Sequence, residues 1–344
     1  MNLGRLVGGA ALLGGSAAIG GAISYGAITK AGESDGGTSN ALLGMMGGSS
    51  IVAGGAGGML GWQATRFGGG SWAPGIAKLL TIPAGVAGAM LGGTLARAGL
   101  RDRHKAEYDA QEQKIDQIMG ATQDALRAAG ANEDMITRVR ESYDRSFFNA
   151  AYKPPRGPFG NDITVGREPD TGQSLAIDDV IAHEFGHKVL HAYEPELLST
   201  KGDGQSIHES FGDTVAMLVD RDDWLLGEDA IEGGLRSFSN PEDRGAVSGG
   251  VVKSAPITKE QLKSSTEEHL GAGVGNKAAW RIGSQLGRDA MGKIYIHALE
   301  KYDLPKGATY DDYAKILRDS AVDLYGAGSH EAAVVDDAWT QAGY

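Results

Sequence analysis

Residues 179–190 read DVIAHEFGHKVL, and the rest of the chain is best understood outward from them. His183 and His187 stand four apart, so on a helix they share one face and their imidazoles can bind one metal ion. Glu184 follows the first histidine directly, where its carboxylate can act as general base on water beside that ion. Val180, Ile181, Phe185, Val189 and Leu190 make the stretch apolar around those three, which predicts a buried helix.

A catalytic zinc takes three protein ligands and keeps a position open. Twenty-two residues beyond His187 lies Glu209, in SIHESFGDTVAML (206–218), a second stretch of helical period. Glu209 can be the third ligand. Asp213, one turn on, can accept a hydrogen bond from a ligand histidine, which fixes its tautomer and strengthens it as a donor.

From here the chain resembles the thermolysin family of zinc metallopeptidases. DVIAHEFGH is similar to that family's zinc helix, and IHESFGD to its NExxSD helix. DDWLLGEDAI, GLRSFSNP and EEHLGAGVGNKAAW follow in the family's order, and GRDAMGKIYIHAL and AVDLYGAGSHEAAVVDDAW are similar to its C-terminal helices. The resemblance covers about residues 145–344. It implies an α+β fold, mainly α, with a small β element at DITVG (162–166) leading to the zinc helix and a helical C-terminal lobe beyond it.

It also implies residue roles. Zinc is expected on His183, His187 and Glu209, with Glu184 activating water on a peptide or protein substrate. His269 matches the family's histidine that stabilises the oxyanion, and Arg236 the arginine that holds the substrate carbonyl. Asn149 and Ala150, in FFNAAY, match the residues that bind substrate backbone. Asp179, Asp220, Asp223 and Glu228 fall where the family binds calcium, and hard carboxylate oxygens suit that ion. An acidic surface patch is the other reading of those four. Two departures bear on the site: Gly186 stands where a larger residue is usual, which implies added flexibility, and His208 replaces the asparagine before the third ligand.

Composition divides the chain near residue 100. Of its 54 glycines, 28 lie in residues 1–100, a stretch with a net charge of +3, whereas residues 101–344 carry −15. So acidic a surface argues against nucleic acid as a partner. The absence of cysteine excludes thiolate metal sites, disulfides and a cysteine nucleophile.

Within 1–100, uncharged runs of 24 residues (Leu6–Thr29), 30 residues (36–65) and 18 residues (Leu79–Ala96) approach the roughly 20 residues a bilayer-spanning helix needs. Small residues at four-residue spacing, such as Gly44/Gly48 and Gly54/Gly58, suit close helix packing in lipid. Two or three membrane helices are therefore expected, making the protein membrane-associated with a lipid bilayer as partner. A signal peptide with a linker, which would make it secreted, and an assembly segment are the alternatives. A connector over 101–145 is expected to be helical: an amphipathic helix up to Gly130, then a second helix from Asn132.

The function expected is a membrane-held zinc metalloendopeptidase. The alternative is a membrane-inserting, assembly or delivered effector protein whose peptidase-like domain binds or processes itself.

Overall fold

The computed structural model describes residues 104–156, 160–168, 172–197, 202–248, 251–263 and 268–344. The expected membrane helices lie outside these residues. No helix among the described residues is long and apolar enough to cross a membrane. The chain divides into two units, Met1–Tyr108 and Asp109–Tyr344, and apart from the first turn of the first helix everything below lies in the second.

Helix α1 (Lys105–Ala128) ends at Gly130, whose φ of 100° is easy only for glycine. The expected helix from Asn132 does not form. Asn132 instead accepts the Asp134 N–H on its side chain and the Met135 N–H on its carbonyl, closing a turn. The chain then extends into strand β1 (Arg140–Tyr143), which pairs parallel with β3 (Asp162–Val165). β2 (Ala150–Lys153) pairs antiparallel with β3 on its other side, so the order is β1-β3-β2 and β2 is an edge.

Two helices form the centre. In α2 (Asp178–Tyr193) every residue from Asp179 to Leu190 is buried, and Asp178 and Asp179 place acids on the helix's positive N-terminal end. The helix stops at Glu194 because Pro195 follows, and the residue before a proline resists helical geometry. α3 (Asp203–Val219) packs along α2, and its Ile207, Phe211, Val215, Met217 and Leu218 are buried. A β-carbon added at Gly186 would lie 2.7 Å from the Gly212 Cα and 3.1 Å from the Val215 Cβ. Gly186 is thus a contact point where two helix backbones meet, and the added flexibility expected of it gives way to close packing with a second glycine.

Short strands β4 (Leu225–Leu226) and β5 (Arg236–Ser237) pair beyond α3, followed by a hairpin of β6 (Ala246–Ser248) and β7 (Val251–Lys253). The remainder is helical: α4 (Lys259–Leu262), α5 (Glu268–Gly271), α6 (Gly273–Leu286), α7 (Arg288–Lys301), α8 (Tyr310–Tyr325) and α9 (His330–Gln341). A Thr309/Asp312 capping box starts α8, and the Ser329 hydroxyl caps α9. Trp339, Tyr295, Tyr310 and Tyr313 fill the space between these last helices.

Candidate active site

The α2–α3 contact brings three donor side chains together. His183 Nε2 lies 3.6 Å from Glu209 Oε2, and His187 Nε2 lies 3.4 Å from Glu209 Oε1. One ligand atom from each residue falls within 4.8 Å of the others. Bonds of roughly 2.0–2.2 Å around a tetrahedral zinc put neighbouring donors about 3.4 Å apart. Two imidazoles and one carboxylate at these separations therefore fit a zinc ion with a position left open.

Buried partners hold each donor. His183 Nδ1 lies 2.7 Å from Asp213 Oδ1, a close polar contact rather than a straight hydrogen bond, and the Asn276 amide donates to Asp213 Oδ2 at 2.7 Å. His187 Nδ1 faces His208 Nδ1 at 2.6 Å. Arg236 on β5 reaches Glu209 Oε2 at 3.2 Å and Asp213 Oδ1 at 3.3 Å. Burial opposes charge on Glu209, Asp213, Arg236, His187 and His208, but mutual attraction prevails at the first four. Against burial, His187 and His183 with Arg236 hold the Glu209 carboxyl well below its usual range. Arg236 and His183 likewise hold Asp213 down, while Asp213 and Glu209 hold the Arg236 guanidinium up. His187 is raised by Glu209 despite its burial. For His208, burial and the adjacent His187 act together and keep its imidazole well below the usual range.

Glu184 is buried beside these donors, and its Oε2 accepts the backbone N–H of Tyr152 at 2.6 Å. Tyr152 escaped the sequence analysis. Its only signal was its place three residues beyond Asn149, in the matched FFNAAY segment. Across β2, the carbonyls of Asn149 and Lys153 accept from Gly166 and Asn161 on the β3 side. By antiparallel alternation, the backbone groups of Ala150 and Tyr152 point the other way, to the open edge. Asn149 itself is exposed at the head of that strand. His269 on α5 stands at the solvent side, its Nε2 3.6 Å from Glu209 Oε2. Its short helix is seated because Gly271 lies directly on the Ser206 side chain of α3, and the Tyr310 hydroxyl donates to the Gly271 carbonyl at 3.2 Å.

The matches to known proteins fall on the same half of the chain. Residues 198–344 match the family model described as thermolysin metallopeptidase, alpha-helical domain. That span holds Glu209, Asp213, Arg236 and His269, and it begins after the α2 histidines. The chain is 31% identical to a zinc metalloproteinase of Listeria monocytogenes over 48% of its own length and 32% of the relative's. It is 34% identical to a bacillolysin of Bacillus amyloliquefaciens over 48% of its length and 31% of the relative's. For the neutral protease NprE of Bacillus pumilus the figures are 33%, 58% and 64%. The chain thus matches about a third of the length of most of these relatives.

A second acidic cluster lies at the far end of the same helices. Asp179, Asp220 and Glu228 each place one oxygen within 4.8 Å of the others, and the Asp179 carboxylate also accepts the N–H groups of Val180 and Gly227. Burial and the neighbouring acids push Asp179 up to about 6 and Glu228 up to about 8. Glu228 Oε2 is buried without a hydrogen-bond partner. Three carboxylates short of positive charge fit a calcium ion. Asp223, expected with them, stands apart: its exposed carboxylate accepts the Leu225 N–H at 2.7 Å, closing its own turn.

Proposed function

We propose that the chain is a zinc-dependent metalloendopeptidase. The carrying observation is the cluster of His183, His187 and Glu209 at zinc-donor separations with Glu184 buried alongside. The three residues hold the ion, and Asp213 and Arg236 orient and balance them. When bound, zinc supplies Lewis acidity to a peptide carbonyl and to water.

The chain's own residues do the rest. A substrate strand lies along the open edge of β2, where the Ala150 backbone groups pair with it and Asn149 contacts it at the rim. Glu184, steadied by the Tyr152 N–H, takes a proton from the attacking water and returns it to the leaving nitrogen. His269 donates a hydrogen bond to the oxygen that gains charge, and Arg236 holds the neighbouring substrate carbonyl. Asp179, Asp220 and Glu228 bind a calcium ion that ties α2 to the segment after α3.

The family resemblance supports cleavage N-terminal to apolar residues. Full-length protein is incubated with a mixed peptide library, with and without a zinc-selective chelator. Chelator-sensitive cuts before apolar residues are expected, and no cleavage, or cleavage indifferent to the chelator, contradicts the proposal.

The uncharged runs of residues 1–100 support attachment to a bilayer, whereas a relative named extracellular elastase, of Staphylococcus epidermidis, supports a secreted protein. Flotation of the full chain with liposomes separates the two: co-flotation favours the bilayer, and protein left in the dense fraction favours secretion.

A further inference from the structure

We propose that His208 is the positioning residue for His187, its Nδ1 accepting a hydrogen bond from the His187 Nδ1–H and so leaving the His187 Nε2 lone pair for the metal. The inference rests on the zinc proposal above and concerns the residue that stands where the family carries asparagine.

The two Nδ1 atoms are 2.6 Å apart, a separation that two lone pairs do not tolerate and that one shared proton explains. A neutral imidazole carries one proton, and the bond made by one nitrogen decides which. His187 directs Nε2 at Glu209 Oε1, 3.4 Å away, so Nε2 is the metal-facing atom and Nδ1 is the donor. His208 must then present a bare Nδ1 and carry its own proton on Nε2. The residue is 1% exposed and its Nε2 is buried with no hydrogen-bond partner, so the Nδ1 contact with His187 is what fixes its ring. The rings lie 4.7 Å apart and are tilted by 31°, a packing that also restrains rotation of His187. An unpartnered buried N–H is costly. The contact with His187 is what that cost accompanies.

Two tests decide it. Long-range proton–nitrogen NMR of the histidine-labelled full chain, with His208→Asn used to assign the His208 signals, reads the tautomers directly. His208 protonated on Nε2, with His187 protonated on Nδ1, supports the proposal. His208 protonated on Nδ1 overturns it, and this readout needs no metal.

The second test is zinc affinity, measured by competition with a colorimetric chelator. His208→Leu, which cannot accept, should lose about tenfold to a hundredfold. His208→Asn, which keeps an acceptor oxygen, should retain affinity within a few-fold. Melting of the metal-free variants confirms that both fold. Wild-type affinity in folded His208→Leu, or an equal loss in both variants, overturns the proposal. Failure of the unmodified protein to bind zinc refutes the zinc proposal, and with it the metal-positioning role, while the tautomer result still decides whether His208 accepts from His187.

Discussion

Replacing Gly186 by alanine should damage this protein, although alanine is the better helix former. The new β-carbon would lie 2.7 Å from the Gly212 Cα and 3.1 Å from the Val215 Cβ. Carbon atoms in good contact sit roughly 3.5–4.0 Å apart, so α2 and α3 must separate by about 1 Å. Helix propensity returns about 1 kcal/mol, while overpacking costs about 1–3 kcal/mol. Parting the helices also loosens contacts along both, placing the net loss at about 1–2 kcal/mol. For a unit of this size that lowers the melting temperature by roughly 2–8 °C. Zinc affinity should fall with it, because the same shift pulls Glu209 on α3 away from His183 and His187 on α2. Differential scanning calorimetry of metal-free protein and chelator competition measure the two effects. Gly120→Ala on α1, where a β-carbon meets nothing within 4 Å, should instead stabilise by about 0.5–1 kcal/mol. A Gly186→Ala protein as stable as the original, with unchanged zinc affinity, refutes the close-packing argument.

Three further outcomes follow from the geometry. Arg236→Met leaves Glu209 and Asp213 buried without their cation and should cost about 3–5 kcal/mol in metal-free protein by denaturant melting. Calcium at about a hundred times its dissociation constant should add about 2.7 kcal/mol, and Asp179→Ala should abolish that gain. Burial, aided by Lys188, lowers the His191 imidazole below its ordinary value, so the folded state resists protonating it. Its stability contribution is therefore complete above about pH 6.5 and lost as pH falls through the lowered value. Between pH 7.5 and 5.5 the parent's melting temperature should drop more than that of His191→Phe, which keeps an aromatic ring against Tyr152.

The parts legible in the sequence are those carried by local period and spacing. The α2 pattern, the position of Glu209 and the strand at DITV all reside in short windows, and the structure has α2, α3 and β3 there. β1 and β2 were not legible, because four-residue segments such as RESY and AAYK become strands only by pairing with β3. The Asn132 segment carried a helix-start signal, yet its side chain closes a turn, and Lys188 from α2 holds the Met135 carbonyl and Thr137 hydroxyl beyond it. Gly186 was not legible for a related reason. Its meaning lies in Gly212, 26 positions away and adjacent only after the helices cross. Asp223 shares the composition of the acidic cluster, but its exposed carboxylate closes its own turn and lies outside the group formed by Asp179, Asp220 and Glu228.

The most direct test compares the full chain with Glu184→Gln. Bound metal is measured by native mass spectrometry, and turnover by a quenched fluorescent peptide. The proposal predicts one catalytic zinc in each protein, with cleavage in the parent and a loss of at least about a hundredfold in the variant. Absence of zinc from the parent, or equal cleavage by both proteins, contradicts it.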